Sequence, residues 1–145
     1  MLIKNIKIHN FRNFQDVSID FSTHEFKNVT VIMGDNGSGK TTLAQAFQWV
    51  LYNETHFKKK GLLNAKVLDN LVEGQTVQMS VILDITYNNR DYIIKRAEYY
   101  RKHKQGLATE KAEFLIGEVI NGNINYLPDH KKNYLIRRIL PQDLS

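Results

Sequence analysis

The sequence predicts an α/β fold in which an antiparallel β layer is appended to a strand–loop–helix unit, and three observations carry that prediction. Val29-Thr30-Val31-Ile32-Met33 is a short, nearly continuous apolar run rich in β-branched residues, as a strand covered on both faces should be. Gly34-Asp35-Asn36-Gly37-Ser38-Gly39-Lys40-Thr41-Thr42 follows it, and beyond it Leu43, Ala46, Phe47, Val50 and Leu51 recur at helical spacing. One stripe of a helix starting near Lys40 therefore faces a core. Past residue 76 the pattern changes to strict alternation, with Val77, Met79, Val81, Leu83, Ile85 and Tyr87 separated by mostly polar positions.

Residues 34–41 fit G-x-x-x-x-G-K-[ST], the P-loop or Walker A pattern, in the strand-to-helix context that the motif requires. Gly34, Gly37 and Gly39 let the backbone turn tightly and bring successive N–H groups up to a polyphosphate with no Cβ intervening. The helix N-terminus adds unpaired N–H groups and the positive end of its dipole. Lys40 supplies a mobile point charge for the β- and γ-phosphates, Thr41 a hydroxyl for Mg²⁺, and Thr42 a hydroxyl on the α-phosphate side. The implied ligands are ATP and Mg²⁺.

Two half-buried strands are expected ahead of this unit, over Leu2–Asn10 and Val17–Phe21, from the apolar positions Leu2, Ile6, Ile8 and Val17, Ile19, Phe21. Between them Phe11-Arg12-Asn13-Phe14 holds a polar pair between two aromatics. It reads either as a hairpin turn anchored by the two phenylalanines or as a device holding Arg12 near the phosphates. Small P-loop kinases tend to begin with the P-loop strand, so by analogy of fold a preceding hairpin points to another branch.

Downstream, 53–66 is a polar connection, and its Lys58-Lys59-Lys60 reads as solvated. A hairpin over 76–97 turns at Asn88-Asn89, a further strand covers 112–119, Asn121-Gly122 turns the chain again, and 124–127 returns. Pro128-Asp129 opens a helix to about residue 140, with Tyr134, Leu135, Ile139 and Leu140 as its apolar stripe before Pro141 stops it. Arg90, Lys95, Arg96, Arg101, Lys102 and Lys104, interleaved with Tyr92, Tyr99 and Tyr100, make either a nucleic-acid face or a solvated hairpin face.

ATP hydrolysis also needs a second-strand carboxylate for Mg²⁺. The one apolar run ending in aspartate, Val81-Ile82-Leu83-Asp84, lies in an alternating strand with Ile85 next, so Asp84 reads as a solvent-facing strand residue. No Ser-Gly-Gly signature is present. The chain is equipped to bind ATP and not to hydrolyse it alone.

The whole chain sets wider bounds. Its 145 residues suffice for one domain with a real core. With no cysteine, disulfides, thiolate metal sites and cysteine nucleophiles are excluded. The N-terminus lacks a long apolar run and no stretch approaches membrane-spanning length, so no membrane is expected and a cytoplasmic location is the default. A net charge of +5 leans modestly towards polyanionic partners.

In this order, the segment Ile8 to Phe14, the strand to Phe21 and the run Val31 to Thr42 resemble the N-terminus of the SMC-like ABC-type ATPases, the class that includes SbcC, RecF and DndD. The likeness continues through Val77 to Arg96, matching that family's β hairpin, and to the tail Ile139 to Ser145. It implies an ABC-type head lobe of the P-loop NTPase fold occupying 1–145, a fragment of a longer chain. A coiled coil and a C-terminal lobe with the signature motif, Walker B and a switch histidine would follow.

Two such heads would sandwich ATP and act on DNA, in double-strand-break repair or anti-phage defence, with a nuclease or other subunit as partner. Carried over, Gly34, Asn36, Gly37, Ser38, Gly39, Lys40, Thr41 and Thr42 would hold phosphates and Mg²⁺, while Arg12 with Asn13 would approach the nucleotide. Two departures stand out. Asp35 must point away from the phosphates, and Gln142 falls several residues before the position of the family's metal-binding glutamine. The rival readings are a self-contained small P-loop kinase and a non-catalytic nucleotide-sensing or DNA-binding module.

Overall fold

A computed structural model describes residues 1–21, 38–54 and 61–139. The P-loop strand Val29–Met33, the loop residues Gly34, Asp35, Asn36 and Gly37, the lysines 58–60, and the tail with Leu140 and Gln142 lie outside them.

Six strands form one antiparallel sheet: β1 (Leu2–Phe11), β2 (Phe14–Asp20), β3 (Thr76–Tyr87), β4 (Arg90–His103), β5 (Gly106–Ile120) and β6 (Asn123–Tyr126), in the order β2-β1-β3-β4-β5-β6. Helices α1 (Ser38–Tyr52), α2 (Ala65–Asn70) and α3 (Asp129–Ile139) complete the described elements. Alternation along the central strands sends Met79, Val81, Leu83, Ile85 and Ile94 to one face, where they are fully buried. Leu43, Ala46, Phe47, Val50 and Leu51 of α1 join the same core, as their spacing predicts, with Trp49 buried beside them. Leu135, Ile136 and Ile139 of α3 complete it.

The turns obey local chemistry. Asn88 and Asn89 both take positive φ, as do Asn121 and Gly122, the conformation that two-residue hairpins with right-handed strand twist demand. Helix α1 ends because Asn53 adopts φ +56° and its N–H returns to the Trp49 carbonyl at 2.9 Å. Arg96 donates from Nε to the Val50 carbonyl at 3.3 Å, placing a cation at the negative end of that helix. Its guanidinium lies 4.0 Å from the centre of the Phe114 ring, and burial brings its pKa down to about 10.

Several sequence expectations are corrected. In β1 it is Ile3 that is buried and Leu2 that is exposed, because a bulge between Ile3 and Asn5 reverses the alternation before Ile6. Strands β4 and β5 run on to His103 and back from Gly106, well past the expected limits at 97 and 112. Pairing continues there through residues such as Arg101, Lys102 and Thr109, whose polar side chains hide the strand signal. Tyr134 is exposed and Ile136 takes the inward place on α3.

The basic–aromatic group of β4 is not one surface. Arg96, Tyr92 and Tyr100 lie on the core side, Lys95 and Tyr99 on the other, and Arg101 is paired with Glu110. Asp84 is half-buried, between Leu83 and Ile85 on the strand and thus on the face away from α1. Among the described residues no cluster of potential metal ligands occurs, and no helix is long and apolar enough to cross a membrane.

Candidate nucleotide-binding site

Helix α1 begins at Ser38, within the glycine-rich motif, so the backbone of Ser38, Gly39, Lys40 and Thr41 forms its first turn. No acidic residue lies in that turn, which leaves the N–H groups and the positive dipole end suited to a polyphosphate. Thr42 is buried on the inner side of the same helix end. The helix is fixed from behind by its apolar stripe on β3 and β4.

A second part of the candidate site is the β1–β2 turn. Phe11 pairs with Phe14 across Arg12 and Asn13, so the segment is a hairpin turn, with Phe11 fully buried and Asn13 exposed. The Phe11 ring stacks on Trp49 of α1 with centroids 5.6 Å apart, which ties the turn to the motif helix. Arg12 is half-buried and has φ +49°, a conformation that costs an arginine energy and must be held by its surroundings.

The segment 61–64 does the holding. The Arg12 N–H donates to the Leu62 carbonyl, Phe11 bridges to Leu63, and the Asn64 N–H donates to the Asn10 carbonyl at 2.9 Å. Arg12 Nη1 donates to the Gly61 carbonyl at 3.4 Å, and Asn64 Nδ2 donates to the Arg12 carbonyl at 2.7 Å. Asn64 also caps α2, its Oδ1 accepting from the N–H groups of Lys66 and Val67 at 3.0 and 3.2 Å.

Of the residues the sequence singles out, then, the structure describes Arg12 and Asn13 in the turn, the backbone of Ser38 to Thr41 in the first turn of α1, and Thr42. Gly34, Asn36 and Gly37 are outside it. Sequence reasoning passes over Asn64, although an asparagine directly before Ala65-Lys66-Val67-Leu68 is an N-cap signal.

A family model described as "AAA domain" matches residues 5–143. The chain belongs to the AAA domain family. This AAA domain is also 32% identical over all of its 145 residues to a DNA double-strand break repair Rad50 ATPase of Methanococcus maripaludis, of which it covers 12%. It is 29% identical over 99 residues, 66% of its length, to the DNA replication and repair protein RecF of Streptococcus agalactiae, covering 26% of that protein. It is 28% identical over 118 residues, 81% of its length, to the SbcC component of the nuclease SbcCD of Staphylococcus aureus, covering 11%. The AAA domain thus spans between about a tenth and a quarter of these curated relatives. The expected P-loop NTPase fold and the likeness to SMC-like ABC-type ATPases of DNA repair both hold.

Proposed function

We propose that this chain is the ATP-binding N-terminal lobe of an ATPase that acts on DNA. The observation that carries the reading is the start of α1 inside the glycine-rich motif, with an acid-free first turn, in a chain that matches the AAA domain from residue 5 to 143. In this reading Gly34, Asn36, Gly37, Ser38 and Gly39 line the phosphates, Lys40 neutralises the β- and γ-phosphates, and Thr42 bonds the α-phosphate side. Thr41 supplies the hydroxyl to Mg²⁺. Arg12, with Asn13, approaches the nucleotide from the β1–β2 turn.

Hydrolysis requires a carboxylate for the metal and a group that positions water. Among the described residues no cluster of potential metal ligands occurs, and Asp84 lies on the face of the sheet away from α1. We therefore assign those groups to a C-terminal lobe of the same protein. Two heads close on sandwiched ATP, and DNA and a nuclease or similar subunit are the partners of the whole assembly.

Mg·ATP should raise the melting temperature of the chain, and Lys40→Ala should remove that shift while leaving the melting temperature without nucleotide unchanged. The isolated chain should turn over ATP far below the roughly 1 per second at which ordinary enzymes begin. An unchanged shift in the Lys40→Ala variant would overturn the P-loop assignment. Turnover at an ordinary enzymatic rate would overturn the assignment of the hydrolytic groups to another lobe.

A further inference from the structure

Arg12 is set apart by its backbone. Six non-glycine residues among those described have positive φ: Asn10, Arg12, Asn53, Asn88, Asn89 and Asn121. Five are asparagines, whose short amide side chains tolerate the left-handed region, and Arg12 has no such relief. Its conformation must be imposed from outside.

The groups that impose it come from 61–64, and they are not equivalent. Leu62 and Gly61 accept through backbone carbonyls, which any side chain at those positions would present. Among the bonds from described residues of this segment, that of Asn64 comes from a side chain. Asn64 is 4% exposed, and its amide is used at both ends: Oδ1 accepts from two N–H groups at the start of α2, and Nδ2 donates to the Arg12 carbonyl. The cap fixes the amide orientation, because flipping it would point the NH₂ group at the two N–H donors of α2. That fixed orientation aims the remaining N–H at Arg12.

We propose that Asn64 is a positioning residue for nucleotide binding, holding Arg12 in its left-handed conformation from the capped start of α2. It does not touch the nucleotide. The inference rests on the reading of Arg12 as a nucleotide-binding residue. The physical consequence is specific: a residue that caps α2 equally well but cannot donate to Arg12 should leave the fold intact and weaken binding.

Asn64→Asp and Asn64→Ser are such residues, since both are good N-caps and neither can supply the amide N–H. Mg·ATP affinity should be measured by equilibrium dialysis on the protein that carries this chain, for both variants, for Arg12→Ala, and for Arg12→Ala combined with each. Arg12→Ala is expected to weaken binding about 10- to 100-fold, the range for a lost charged hydrogen bond. Each Asn64 variant should weaken it about 3- to 10-fold, with the protein still fully folded without nucleotide at the assay temperature, and should add nothing in the Arg12→Ala background.

If Arg12→Ala binds Mg·ATP normally, the reading of Arg12 fails. If Arg12→Ala is impaired but the Asn64 variants bind normally, or their effects add to that of Arg12→Ala, Asn64 does not act through Arg12 and the inference is overturned. Unfolding of either variant at the assay temperature, to an extent that accounts for its loss of affinity, would reduce Asn64 to a helix cap and overturn it equally.

Discussion

Single side chains decide which face of the sheet carries charge. Glu113 on β5 sits on the face opposite α1, where it accepts from the Tyr99 hydroxyl at 3.0 Å and pairs with Lys95 and Lys111, each at 3.4 Å. Burial pushes its pKa up, but the Tyr99 bond and the two lysines outweigh burial and leave it below the ordinary 4.5. A carboxyl held low contributes stability that is complete above its unfolded value and is lost as pH falls through the folded one. Glu113→Gln should therefore cost about 1 kcal/mol at pH 7, a small figure because the group is partly solvated. That cost should shrink as pH drops below 4.5. Urea denaturation at pH 7 and near pH 3 measures both. A cost that is the same at the two values would mean the pairs contribute nothing.

At the scale of elements, the end of α1 shows how one backbone conformation fixes a length. Asn53 at φ +56° turns the chain out of the helix and lets its N–H close on Trp49. Asn53→Ala keeps the Cβ but loses the short amide that eases the left-handed region and should lower stability by about 1 kcal/mol, whereas Asn53→Gly removes the Cβ and should be neutral or stabilising. Thermal denaturation of the two variants tests this, and equal effects would contradict it.

The elements were largely legible where one face is apolar and the other polar. The stripe of α1, the β3–β4 turn at Asn88-Asn89 and the strand of Val77 to Tyr87 are readable for that reason. The distal halves of β4 and β5 are not, since 107–112 of β5 is exposed, the inward places of β4 there fall to Glu98 and Tyr100 and not to aliphatic residues, and the ladder is held by backbone pairing that leaves no periodic trace. The bulge after Ile3 is equally silent, because one extra residue inverts the alternation without any glycine to mark it. Part of the candidate site is readable in the sequence for a chemical reason: a glycine-rich loop before a helix admits few other uses. The role of Asn64 is not, since it stands 52 residues from Arg12 in sequence and meets it only in the folded chain.

On the scale of the whole molecule, the helices of the described residues that join the core gather on one face of the sheet. The helices α1 and α3 share the side of Ile6, Val81, Leu83 and Ile94, and the motif helix is anchored there by Phe11 and Trp49 as well as by its own stripe. This arrangement presents the N-terminus of α1 on a rigid support, which a polyphosphate cradle requires, since N–H groups that had to reorganise on binding would lose much of their value.

The proposed function stands on recognition of nucleotide phosphates through the helix start at Ser38 and Lys40. Competition against labelled Mg·ATP by ADP and by AMP probes it at the phosphates themselves. One ATP should bind per chain and be displaced by ADP and not by AMP, because the contacts of Lys40 fall on the β- and γ-phosphates. Displacement by AMP as readily as by ADP would show that the site reads the nucleoside, and the P-loop assignment would be wrong.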